Sequence, residues 1–408
     1  MRRVIPVRTQ VTRFGAALVL LAACARGAEP ADTSPLAQGS RYVNDAAFRR
    51  RVLEASLVNP KNGYSQLRLA QYRDDAWGAL PEWNPGVMPV APKTSAAPTE
   101  ALPSIQIDAV PWTTDALVAL GREAFSKYPA QFQPSLRVGL AAPAQYGLWE
   151  SPDRVGGAVW AAVPGGSPML AMTCASCHAA ASASGDIVDG LPNAQLDMSG
   201  MLSASGEGNP QAPAWGRGRV DVTSDGIDNP AGLPDLRPIR SERYLHHDGT
   251  VRNGLIELAI RIETLIITSS GETIRPPRKL AFALAMYLWQ LNPRATRAPD
   301  ESSLRGSKVF AARCAACHIG PDVSGELIPL DVVGTDPSVG LSPERTTGSY
   351  RVPSLRGVGD RAPLLASGQV PNVEALLDPM RSEPGHRSGL ELAAGDRQDL
   401  LAFLHTLE

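Results

Sequence analysis

Cysteine and histidine are scarce in this chain, five and six among 408 residues. Neither sign of charge dominates, with 39 Lys and Arg against 41 Asp and Glu. A basic footprint of the kind nucleic acid demands is therefore missing, and no nucleic-acid partner is expected. Past the N-terminus no apolar run is long enough for a membrane-spanning helix. Glycine and proline are plentiful instead, 37 and 36, so long ordered loops should separate short helices. The length allows two or three domains with cores of their own.

The few cysteines are not scattered. Cys174-Ala175-Ser176-Cys177-His178 and Cys314-Ala315-Ala316-Cys317-His318 both read C-x-x-C-H, the attachment spacing of a c-type haem. On one helical turn, residues i, i+3 and i+4 share a face. Two sulfurs can then bond the two vinyl groups of one porphyrin while the histidine reaches the iron. The alternatives are one zinc site made by Cys174, Cys177, Cys314 and Cys317, or dithiol redox centres. Neither explains a histidine directly after both pairs. Two covalently attached haem c groups, with His178 and His318 as iron ligands, are the expected cofactors. No cysteine of these pairs is then left for a disulfide, and redox work is the function class implied.

The fifth cysteine sits at the end of an N-terminal signal. Arg2, Arg3, Arg8 and Arg13 precede the apolar run Phe14 to Ala23, too short to span a bilayer. Leu21-Ala22-Ala23-Cys24 looks like a bacterial lipobox, which implies cleavage before Cys24, lipidation of its thiol and export. An ordinary signal peptide cut nearby is the alternative. Ala25, by resemblance to lipoprotein sorting signals, favours the outer membrane. The expected organisation is a signal peptide over 1–23, a flexible tether over 24–40, an N-terminal extension of unassigned role over 41–111, a first haem domain over 112–296 and a second over 297–408.

Within the extension, Asp45 to Leu57 reads as a helix and Pro89 to Pro103 as a linker. Thr113 to Tyr128 reads as a helix with Leu117, Leu120, Ala124 and Phe125 on one face. Its Gly121-Arg122-Glu123-Ala124-Phe125 resembles the first helix of cytochrome c domains, where glycine admits a crossing helix and an aromatic packs there. Gly306-Ser307-Lys308-Val309-Phe310 repeats it directly before Cys314, so the first domain carries an insertion, roughly Pro129 to Pro168. Arg278 to Leu291 and Asp396 to Leu407 read as the two terminal helices. The fold class expected is mainly α: two tandem cytochrome c-type domains with long loops, an internal duplication.

Further repeats follow each motif: Leu236-Arg237-Pro238 with Tyr244-Leu245-His246-His247-Asp248-Gly249, and Val352-Pro353-Ser354-Leu355-Arg356 with Ala362 to Gly368. Over roughly 112–408 the chain resembles the bacterial di-haem cytochrome c peroxidase superfamily, with its relatives among rubber-cleaving oxygenases. The family's turn histidine aligns with His247 in the first half and is replaced by Ala366 in the second. The resemblance implies a methionine ligand about fourteen residues beyond that turn, which counts to Met380 as partner of His318. His386 is the runner-up. For the first haem the ligand is His246 or His247, with Met198 and Met201 as lesser alternatives. A five-coordinate iron is the remaining one. Arg237 and Arg356 are candidate propionate partners. Trp215 is expected to be buried packing.

The first expectation for function is a di-haem c-type cytochrome passing electrons between redox partner proteins at the bacterial cell envelope, lipid-anchored and facing the periplasm. The alternative is a peroxidase-like or oxygenase-like oxidoreductase with one open haem iron, for which Glu242 and Asp248 lie near in sequence. A third is a binding module using residues 41–110.

Overall fold

Caps start the N-terminal helices. The computed structural model describes residues 33–408 apart from 95, 164, 183, 207–214, 222, 224 and 225. Helix α1 (Pro35–Asn44) begins behind Ser34, whose Oγ accepts from the Ala37 N–H, with a proline in its first turn, where no N–H is needed. Asp45 caps α2 (Ala46–Ser56) through a 2.9 Å bond from the Phe48 N–H, and Asn62 caps α3 (Gly63–Arg73). Residues 35–40 are therefore helix rather than flexible tether. A Cβ at Gly39 would overlap the Phe282 ring, and Tyr42 is buried with its hydroxyl 2.7 Å from Glu263 Oε2. The expected signal segment 1–23 and Cys24 lie outside the described residues. No described helix is long and apolar enough to cross a membrane.

The extension clasps both halves of the chain. Glu263 receives Tyr42 and the 2.9 Å bond of Arg278, tying α1 to the helices beneath it. At the other end, the N–H groups of Gly63 and Tyr64 donate to the carbonyls of Pro343 and Glu344 at 3.1 and 2.9 Å. These are orphan donors of the first helical turn, satisfied by a segment far along the chain.

After α4 (Thr114–Lys127) the insertion forms a small sheet. Strand β1 (Val87–Pro89) comes from the extension, followed by β2 (Gln131–Phe132), β3 (Glu150–Ser151), β4 (Arg154–Val155), β5 (Ala158–Ala161) and β6 (Met169–Met172). The four-stranded antiparallel order is β1-β5-β6-β2, in register Val87↔Ala161, Ala158↔Met172 and Phe132↔Ala171. The linker expected at Pro89 to Pro103 is pinned to it, since Val90 N–H donates to the Ala158 carbonyl and Val87 N–H to that of Pro103. Helix α5 (Leu136–Ala141) packs on α7 (Met198–Ser205), and α6 (Cys174–His178) continues from β6.

One helix crossing occurs twice. Helix α8 (Leu255–Ser269) leads to α9 (Arg278–Trp289), which packs on α4. A Cβ at Gly121 would collide with the Ala283 carbonyl, and Phe125 meets Tyr287 edge-on at 5.7 Å. In the second half, α10 (Glu301–Arg313) is followed by the short helices α11 (Leu330–Val333), α12 (Ser338–Leu341) and α13 (Val373–Leu376), then α14 (Ala394–Leu404). A Cβ at Gly306 would collide with the Asp399 carbonyl, and Phe310 meets Phe403 at 5.2 Å. Without side chains at Gly121 and Gly306 the backbones can approach closely.

The loop turns repeat as closely. His246 and Leu365 have φ of 64° and 65°, and Gly249 and Gly368 have 67° and 66°. Each glycine N–H donates to the carbonyl three residues back at 3.2 Å.

Candidate haem centres

The first motif is seated by Gly157. This residue has φ 71° and lies where a Cβ would strike the Ser176 backbone. Its carbonyl accepts from the Thr173 N–H and from Ser176 Oγ, both at 2.8 Å. The α6 turn thus carries Cys174, Cys177 and His178 as one unit. His178 Nδ1 lies 3.1 Å from the Pro234 carbonyl. A carbonyl only accepts, so Nδ1 holds the ring proton and Nε2 keeps its lone pair, the state of a metal-ligating imidazole. Burial pushes His178 down to about 4, which keeps it neutral.

The second motif repeats that arrangement. Cys314 ends α10. His318 is buried with Nδ1 3.1 Å from the Val323 carbonyl, and its pKa is likewise pushed down to about 4, chiefly by burial. Opposite it stands His386, ring centres 6.5 Å apart. Imidazole–metal bonds are about 2.0–2.1 Å and a ring nitrogen lies roughly 1.1 Å from its ring centre, so two imidazoles that bound one metal from opposite sides would hold their centres about 6.3 Å apart. Nδ1 of His386 is buried without a hydrogen-bond partner. Its backbone is held by the N–H bond to the Val333 carbonyl at 2.8 Å, with Arg381 Nη2 on the carbonyls of Gly385 and His386. Its φ of 42° is strained for a non-glycine residue, as functional positions often are.

Met380, expected as the partner of His318, is 85% exposed. The count of fourteen reaches it, but the 378–381 turn carries its side chain outward. The Pro384-Gly385-His386 turn instead folds inward, because Gly385 at φ 80° packs on Gly334 and Thr335. A histidine directly after a glycine, in a chain so poor in histidine, was the sequence signal for it.

Neither His246 nor His247 presents a free Nε2. His247 Nε2 meets the Gly232 carbonyl at 2.8 Å, so that nitrogen carries the proton. His246 has Arg261 Nε 2.5 Å from Nε2 and Arg345 Nη1 2.8 Å from Nδ1. Met198 and Met201 are buried in the core under the small sheet, with Met201 Sδ against Gly139. Trp215 is buried in that core, its Nε1 donating to Asp228 Oδ1 at 2.5 Å.

The expected propionate arginines are engaged elsewhere. Arg237 is buried, bonded to both oxygens of Asp235 and to both of Asp360. Arg356 donates to the main-chain oxygens of Glu408 and Pro321. Arg237 and Arg361 instead join the halves. Asp235, one residue past the carbonyl on His178, also accepts from Arg361 Nε at 3.3 Å, and Arg361 Nη1 holds the Ser354 carbonyl at 2.8 Å. Buried Glu242 belongs to the same junction, accepting from the Ser354 N–H at 3.1 Å. Asp248 is buried and receives Thr250 Oγ1 at 2.6 Å. Burial raises the pKa of both.

The non-haem alternatives do not fit. Among the described residues no three His, Cys, Asp or Glu gather as a metal ion would need, so the paired cysteines do not build one zinc site. Burial raises the thiols of Cys174 and Cys177 to about 11 and about 12, opposite to the lowered pKa of a dithiol redox centre. All four cysteines are free of disulfides. The neutral, Nδ1-anchored histidines beside them fit haem.

Comparison with known proteins agrees for the second half. Residues 303–408 match the cytochrome c family model. None of the curated proteins compared matches the chain. Among solved structures, a MauG-like protein associated with microbial copper homeostasis aligns with 47% of this chain and 78% of its own at 18% identity. Its TM-score of 0.35 is too low to inform fold or activity. With Cys314, Cys317 and His318 inside the matched range, residues 303–408 form a cytochrome c domain, and covalently bound haem c with its iron is the group it implies.

Proposed function

We propose that the chain is a di-haem c-type cytochrome that transfers electrons at the bacterial cell envelope. The first haem is held at Cys174, Cys177 and His178 in a domain over 112–296. The second is held at Cys314, Cys317 and His318 in a domain over 297–408. One observation carries this reading: both proximal histidines are oriented alike, each Nδ1 proton on a backbone carbonyl at 3.1 Å. When bound, haem c supplies a one-electron couple at its iron.

The residues around the groups set what that couple can do. His386 is the proposed second ligand opposite His318. Histidine in place of methionine gives up the rise in potential that a His/Met pair confers. The Asp235–Arg361–Ser354 bonds fix the segments below the two histidines relative to each other. The lipobox ending at Cys24 supports export and a lipid anchor in the bacterial membrane, facing the periplasm where redox partner proteins are reached. Paramagnetic resonance with potentiometric titration tests the reading. Two haem signals that reduce and reoxidise reversibly are expected, that of the second haem being of bis-imidazole type.

A second reading is a peroxidase-like oxidoreductase with an open first haem. It is favoured by the engagement of His246 and His247, whose Nε2 atoms face Arg261 and the Gly232 carbonyl. Cyanide or peroxide binding at the first haem separates the two, because a carrier with two ligands at each iron binds neither.

A further inference from the structure

Three guanidinium groups from distant segments converge on one imidazole. Arg68 comes from α3, Arg261 from α8, Arg345 from the loop after α12, and His246 from the first of the repeated turns. Arg261 Nε lies 2.5 Å from His246 Nε2, and Arg345 Nη1 lies 2.8 Å from Nδ1. Tyr64 lines the cluster: the Arg68 guanidinium is 3.4 Å from its ring centre, that of Arg345 is 4.8 Å away, and His246 stands edge-on at 5.1 Å. Arg68 and Arg345 are buried. Nη1 of Arg261 is buried with no hydrogen-bond partner.

This set does not satisfy itself. A neutral imidazole has one acceptor nitrogen, and a guanidinium only donates. The two arginine donors cannot both bond His246, and a protonated ring would accept from neither. Burial, then the neighbouring Arg345 and Arg68, pull the Arg261 pKa down to about 10 against the opposite pull of Tyr64. Glu344 acts on both Arg68 and Arg261, and buried Asp248 acts on Arg345, so two carboxylates face three guanidinium groups, an excess of positive charge. Such an excess is costly unless it is paired, and the planar fork of arginine suits an anion with two oxygens.

We propose that Arg68, Arg261 and Arg345, together with His246, form a buried binding site for a carboxylate or similar oxyanion. The unpartnered Arg261 Nη1 supplies one donor, and the anion relieves the conflict at His246. Tyr64 and Arg68 belong to the N-terminal extension, so that extension completes the site. The oxyanion comes either from a haem propionate or from a small solute. The propionate source rests on the di-haem reading; the solute source does not.

The test uses the holoprotein and its Arg261→Gln variant, with acetate and inorganic phosphate as probes in calorimetric titrations, and with redox-induced infrared difference spectra. Binding of one probe anion per chain, weakened about tenfold or more in the variant, supports a solute site, since a hydrogen bond to charge contributes about 1.5–3 kcal/mol. No probe binding, but shifted propionate carboxylate bands in the variant, supports the haem source. If neither change is seen, the proposal is overturned. Should Arg261→Gln fail to fold, Arg68→Gln is read by the same two measurements. Loss of the first haem from the preparation would refute the di-haem reading while leaving the anion titration readable.

Discussion

His247 and Ala366 meet through a single glycine. His247 Nε2 donates to the carbonyl of Gly232 at 2.8 Å, and the Gly232 N–H donates to the carbonyl of Ala366 at 3.0 Å. The two residues occupy equivalent places in the repeated turns, which therefore lie back to back, with Gly232 against Gly368. In the first half the imidazole ties the turn to its neighbour; in the second a buried alanine leaves room for the packing.

Replacing His247 with Ala removes that bond and leaves a carbonyl without its partner. The expected loss is about 1–3 kcal/mol, measured by chemical denaturation, with no change in the optical spectrum of the proposed first haem. A changed spectrum would make His247 a ligand instead.

The second haem separates its two candidate ligands. Met380→Ala should leave spectrum and potential unchanged, because that side chain faces solvent. His386→Ala should convert the second haem to a form that binds added imidazole. His386→Met should keep six-coordination and raise the potential, as His/Met ligation does. Spectroelectrochemistry of the three variants checks this, and a potential shift in Met380→Ala would restore the count-based assignment.

Much of the helical frame was legible in the sequence, and for identifiable reasons. The stretch from Asp45 to Leu57 marked α2, and the Gly121 and Gly306 patterns marked the two crossings. Helix α3 was missed because Gly63 opens it and Tyr64, Arg68 and Tyr72 bury polar groups. The four-stranded sheet was missed because its strands are two to four residues long, too short for alternation to register. Both C-x-x-C-H motifs were evident from spacing alone. The proposed ligand His386 was ranked second by a count, since loop length does not reveal which way a turn folds. The Arg68, Arg261 and Arg345 cluster could not be read at all, because nothing local links residues so far apart.

The Gly306 crossing sets a stability test. A methyl group there meets the Asp399 carbonyl, part of the α14 backbone, which cannot rotate away. Gly306→Ala should cost about 1–3 kcal/mol through overpacking, and Gly121→Ala a similar amount at α4 and α9. Gly165→Ala, where no atom lies within 4 Å of a new Cβ, avoids the overlap, though its φ of 68° adds local strain. A melting-temperature loss at Gly306 no larger than that at Gly165 would argue against a close crossing.

Acid should loosen the same crossing. Arg305 binds both oxygens of Asp399 at 2.7 and 2.8 Å, and Ser302 adds a third bond. Arg305 first, then Ser302, lowers the Asp399 pKa. A lowered folded pKa stabilises above the unfolded value of about 3.9 and is lost as pH falls through the folded value. The melting-temperature difference between the protein and Asp399→Asn should therefore be full at neutral pH and shrink below the ordinary carboxylate value. A difference that persists unchanged to pH 2 would mean that packing, not charge, holds this pair.

Haem stoichiometry of the mature protein, taken by pyridine haemochrome absorbance per chain with mass spectrometry of its peptides, tests the di-haem account most directly. Two haems per chain are expected, one on the peptide bearing Cys174 and Cys177 and one on that bearing Cys314 and Cys317. A single haem, or unmodified Cys174 and Cys177 in protein from cells able to mature c-type cytochromes, would contradict it.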